Sequence, residues 1–141
     1  MTDPANAARD LSGEENKARD LFARAGELDA ASREAEAAPL YEQAFAAGLT
    51  GDDLRRGLVQ YGSTLRNLGR CDEAVAVLRR ADSEFPGSAS VQVFLALALT
   101  SAGHAPEAVR TLITLALDQI SGEDLQYYQR ALREYAAALA G

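Results

Sequence analysis

Leu65-Arg66-Asn67-Leu68-Gly69-Arg70-Cys71-Asp72-Glu73-Ala74-Val75-Ala76-Val77-Leu78-Arg79-Arg80-Ala81 is the stretch on which the fold turns. It closes one amphipathic run, breaks it at Leu68-Gly69-Arg70, and opens a second run with Ala74, Leu78 and Ala81 on one helical face. Stepping 34 residues forward carries Leu65 to Leu99, Gly69 to Gly103, Glu73 to Glu107, Ala74 to Ala108 and Leu78 to Leu112. Stepping 37 back carries Leu58 to Leu21, Leu65 to Leu28, Ala74 to Ala37, Leu78 to Tyr41 and Ala81 to Ala44. The three additional residues fall in the loop at Leu49–Asp53, where an insertion leaves packing undisturbed. A two-helix unit therefore recurs three times.

Outward from this stretch, the chain is punctuated for helices. Ser12-Gly13-Glu14-Glu15, Thr50-Gly51-Asp52-Asp53 and Ser121-Gly122-Glu123-Asp124 each offer a hydroxyl to a free first-turn N–H and then acids that the helix dipole favours. Phe85-Pro86-Gly87-Ser88 and Ser101-Ala102-Gly103-His104 read as further turns. The expected helices are roughly 13–29, 33–47, 52–68, 71–84, 89–102, 105–118 and 122–139, after a polar, flexible tail over 1–11. Ala, Leu, Glu, Gln and Arg dominate and strand-type runs are scarce, so the class is all-α. Pro39 has no N–H and should begin or kink the second helix, in or near its first turn.

A period of 34 residues built from two helices resembles the tetratricopeptide repeat family. Repeat two, 55–88, carries the resemblance through Leu58, Tyr61, Gly62, Leu65, Gly69, Ala74, Leu78, Ala81 and Pro86. Repeat three, 89–121, matches at Leu95, Ala96, Leu99, Gly103, Ala108 and Leu112 and departs at Gln92 and Leu115. Repeat one, about 18–53, matches at Leu21, Ala25, Leu28, Ala37, Tyr41 and Ala44 and departs at Arg24. The opening stretch is especially similar to short bacterial stand-alone members sometimes called group 5. Small residues at Ala25, Gly62 and Ala96, and at Ala37, Ala74 and Ala108, would let paired helices approach within about 8–10 Å. In the closing segment, Leu125, Tyr128, Leu132, Tyr135 and Leu139 form one apolar stripe, as a helix capping the stack requires. The expectation is a single domain over 12–141, a superhelix of three repeats and a cap, seven helices in all.

Composition narrows the function. A formal net charge of −7 runs against general nucleic-acid binding, which needs a basic stripe for phosphates. No stretch approaches the roughly 18 apolar residues of a membrane span. The opening residues lack the basic and apolar parts of a signal peptide. Cys71 is the only cysteine, which fits a cytoplasmic protein. His104 stands alone in a turn without metal-spaced partners, Cys71 has no neighbouring base, and no Gly-rich phosphate loop occurs. The acid pairs are explained by helix starts. No catalytic residue, metal site or cofactor is expected.

What remains is a surface. The resemblance implies that the first helix of each repeat lines a concave groove that binds a partner peptide or helix. Carried onto this chain, the groove positions are Arg19 and Phe22, then Arg56, Val59, Ser63 and Arg66, then Ser90, Val93, Leu97 and Thr100. As a set they make an apolar strip edged by arginines. The clamp with which some members grip a C-terminal carboxylate uses Lys and Asn, and repeat three lacks both at those positions. The competing expectations are a structural homo-oligomer joined through the last helix, with a monomer or weak homodimer otherwise, and a small-ligand protein or enzyme.

Overall fold

The computed structural model describes the backbone of residues 4–139 and the side chains of residues 12–139. Eight helices are found there: α1 (Pro4–Ala30), α2 (Glu34–Ala46), α3 (Gly51–Asn67), α4 (Cys71–Glu84), α5 (Ala89–Ser101), α6 (Ala105–Gln119), α7 (Glu123–Gln126) and α8 (Gln129–Ala138). Consecutive helices pair as hairpins, α1 with α2, α3 with α4 and α5 with α6. The pairs stack through α2 on α3 and α4 on α5, while α1, α3 and α5 also touch side by side. The first helices of the three repeats thus form one layer, and α8 folds back onto α6.

The turns explain the register. At the end of α3, Gly69 takes a φ of 79°, its N–H donates to Arg66 O, and the Arg70 N–H donates to Leu65 O at 2.9 Å. At the end of α5, Gly103 has a φ of 87° and the His104 N–H donates to Leu99 O. These paired bonds satisfy carbonyls that the helix leaves open. At the same place in repeat one the residue is Ser32, the only non-glycine with positive φ among the described residues, at 58°. Its hydrogen bonds match: the Ser32 N–H donates to Asp29 O and the Arg33 N–H to Leu28 O, both at 2.9 Å.

The core follows the repeat. Ala25, Ala37, Ala74, Ala96 and Ala108 are all buried at the helix crossings, with Tyr41, Leu58, Leu65, Leu78 and Leu99 filling the space between. At Gly62 the backbone lies close against a side chain: a Cβ placed there would lie 2.6 Å from Leu78 Cγ.

Five expectations need correction. Helix α1 runs back to Pro4, so Ser12-Gly13 lies within it and is not a helix start. Pro at a first turn, followed by Ala5, Ala7 and Ala8, favours that extension, and one interior glycine costs only about 1 kcal/mol. Of the expected tail, 1–3 lie outside the described residues. Thr50 is extended at the start of α3 but makes no side-chain capping bond, and Gly122, not Ser121, precedes α7 with a φ of 139°. Pro39 lies inside α2, its sixth residue. Its missing N–H would have served Ala35 O, and both residues are exposed, so water can satisfy that carbonyl.

The last two corrections concern the end of the stack. The closing helix is broken at Tyr127-Tyr128, giving eight helices in place of seven. Only Ala136 of α8 is fully buried, and the stripe's Tyr128, Tyr135 and Leu139 are exposed. The Arg133–Asp118 ion pair at 2.9 Å joins α8 to α6, and Gln126 Nε2 donates to Leu117 O and Ile120 O, which sets the bend. Leu112, equivalent to the buried Leu78 and Tyr41, is 42% exposed.

Candidate functional site: a groove on the first-helix layer

Along the inner layer, a hollow of about 480 Å³ is lined by Gly26, Asp29, Ala30, Glu34, Val59, Gln60, Ser63, Thr64, Asn67 and Phe94. A smaller one, about 220 Å³, adjoins it between Arg55, Arg56, Val59, Gln60 and Ser90. The two share Val59 and Gln60, so they form one groove along α3.

Each end has its own chemistry. At the start of α3, Arg55 donates to Asp52 Oδ1 at 2.8 Å and to Ser90 Oγ at 3.2 Å, and Arg56 lies 3.6 Å from Asp52. The hydrogen bond from Arg55 holds the Asp52 carboxyl below the usual carboxylate range. Toward the ends of α1 and α3 the charge reverses. Tyr41 Oη donates to Asp29 Oδ2 at 2.5 Å and is 3.1 Å from Gln60 Oε1, while Thr64 Oγ1 donates to Asp29 Oδ2 at 2.7 Å. Burial, reinforced by that bond to Asp29, pushes the Tyr41 phenol far above its ordinary value. Tyr61 is raised likewise, by burial and then by its hydrogen bond to Glu42.

The expected groove residues divide. Val59 and Ser63 line the larger hollow, and Arg56 and Val59 the smaller. Arg19 is exposed and forms an ion pair with Asp53 at 3.6 Å, away from both. Phe22 is half-buried, edge-on to Tyr41 with ring centroids 6.3 Å apart, and packs against the Ala18, Ala44 and Leu49 cluster. Arg66 is half-buried, with Nη1 3.4 Å from Ser101 Oγ and its Nε buried without a hydrogen-bond partner among the described residues. Val93 and Leu97 are exposed on α5, 40% and 43%, while the adjacent Phe94 forms the wall.

Asp29, Gln60, Thr64, Asn67 and Phe94 escaped the sequence reading. A signal for Asp29 existed: the 37-residue step that takes Arg56 to Arg19 and Val59 to Phe22 takes Ser63 to Gly26 and Arg66 to Asp29. His104 is exposed at the start of α6, and Cys71 is a half-buried free thiol at the start of α4. Among the described residues no group of three or more His, Cys, Asp or Glu could hold a metal ion, and no helix is long and apolar enough to cross a membrane.

Stacked helical hairpins with a shared layer of first helices define a helical-repeat protein. Residues 18–139 match the family model described as Tetratrico peptide repeat, and the chain belongs to that family, whose repeats generally mediate protein–protein interaction. A comparison with curated proteins finds no match.

Proposed function

We propose that the chain is a non-catalytic scaffold that binds a peptide or helix of a partner protein along α3, in the groove between α1 and α5. The observation that carries this is the pair of hollows that share Val59 and Gln60, with Val59 and Phe94 as apolar wall and polar side chains lining the rest. A concave hollow in which apolar side chains and several polar groups converge is suited to recognising a partner segment. Arg55 and Arg56 favour carboxylates on the partner at one end, steered by charge. The lone Cys71 requires no oxidising compartment, which supports a cytoplasmic setting.

The test is selection of a random peptide library on the purified protein, followed by Ser63→Trp, which fills the larger hollow. Loss of the selected peptides with an unchanged helical spectrum is expected. Peptides indifferent to Ser63→Trp would place binding on another face.

A second reading, homo-oligomerisation through the C-terminal end, is supported by exposed Val109, Leu112, Tyr128 and Tyr135 on α6 to α8, 42–67% accessible. Sedimentation over a range of concentrations separates the two. The groove reading expects a monomer or weak homodimer, and the second a stable oligomer that Tyr135→Glu dissolves.

A further inference from the structure

We infer that the larger hollow is a subsite for a cationic side chain, lysine or arginine, presented by the bound partner segment. This rests on the groove reading and adds the chemistry of what enters it.

The charged residues that line the hollow are Asp29 and Glu34, both acidic, while its other polar walls are the neutral Gln60, Ser63, Thr64 and Asn67. The groove's arginines stand elsewhere: Arg55 and Arg56 line the adjoining hollow, and Arg66 is directed to Ser101. Asp29 is held in place from behind. The Tyr41 and Thr64 hydroxyls both donate to its Oδ2, and Tyr41 and Thr64 are themselves fully buried, at 0% and 1% exposure. Both of these bonds go to Oδ2, none is found to Oδ1 among the described residues, and Asp29 lines the hollow. A carboxylate oriented by two buried donors is suited to a charge-assisted bond from an ammonium or guanidinium group. Phe94 and Val59 supply apolar wall for the methylene stem of such a side chain. A volume of about 480 Å³ admits it with room for water.

The experiment uses the same peptide selection on the full chain. Selected sequences should carry a Lys or Arg at one recurring position. Replacing that residue with norleucine in a synthetic peptide should weaken binding about tenfold or more, as loss of a hydrogen bond to a charged group does. Asp29→Asn should weaken the parent peptide by a similar factor yet leave the norleucine peptide unaffected, because the two changes remove one interaction. Asn67→Lys tests the same charge logic from an exposed wall residue outside the Tyr41–Asp29–Thr64 network, and it should also weaken only the cationic peptide. Enriched peptides without a base, or weakening by Asp29→Asn and Asn67→Lys that is equal for both peptides, overturn this inference and leave the groove reading standing. If no selected peptide responds to Ser63→Trp, the groove reading falls and takes this inference with it.

Discussion

At Ser32 the chain adopts the left-handed turn that Gly69 and Gly103 adopt in the later repeats, with the same pair of backbone bonds. A side chain in that region costs about 1–2 kcal/mol, part of which glycine returns through its freer unfolded state. Ser32→Gly is therefore expected to stabilise the protein by about 0.5–1 kcal/mol, read as a higher urea midpoint at constant slope. An unchanged midpoint would mean that Ser32 carries no strain. The opposite trade holds at Gly62. Alanine there should gain about 1 kcal/mol of helix propensity. Its Cβ, however, would meet Leu78 Cγ at 2.6 Å and Cδ1 at 2.8 Å, and Leu78 is only 1% exposed. Overpacking a site that cannot yield costs about 1–3 kcal/mol, so Gly62→Ala is expected to lower the melting temperature despite the better propensity. A rise would show that α3 and α4 can separate at that crossing without loss.

Among the elements, α2 departs furthest from its own sequence logic. Pro39 sits at the sixth position of a thirteen-residue helix and removes one ladder bond. The Arg33–Glu36 ion pair at 2.5 Å and the buried Ala37, Ala38, Tyr41 and Ala44 face hold the helix regardless. Packing has overridden propensity, which is the usual source of helix stability in a folded protein. Pro39→Ala should accordingly stabilise by about 1–3 kcal/mol without altering the helical fold, measured by thermal and urea unfolding. A neutral result would mean that the helix has already bent enough to relieve the clash. The closing segment errs in the other direction. Its three- and four-residue apolar spacing reads as one helix, but Tyr127 and Tyr128 lie edge to face at 5.0 Å on the outside of a bend. The period alone could not say which side of α8 would meet α6.

Across the whole molecule, stability should grade along the stack, because each repeat contacts only its neighbours. Helices α3 and α4 are covered on both sides, whereas α7 buries no residue fully and α8 buries only Ala136. Native-state hydrogen exchange is expected to find the slowest amides in α3 and α4 and the fastest in α7 and α8. Uniform protection from α1 to α8 would instead require a single cooperative unit. Val109 and Leu112 of α6 stay exposed although α8 packs on that helix.

Sequence by itself determined the repeat. Helix pairs, small crossing residues and large fillers recur at steps of 37 and then 34 residues, the glycine turn at the second step, and each depends on its immediate neighbours and on periodicity. That was enough for the fold and for the layer of first helices, on which Val59, Ser63 and Arg56 line the two hollows. Tertiary structure alone decided the groove's character. Asp29 becomes an oriented acid only because Tyr41, 12 residues on, and Thr64, 35 residues on, converge on the same oxygen. The arginines expected to edge a single strip are divided: Arg19 pairs with Asp53, Arg56 lines the smaller hollow beside Asp52, and Arg66 reaches Ser101. Periodicity records which residues share a face. Which of them meet across helices, and therefore what charge a ligand encounters, depends on distances between segments that no local pattern encodes.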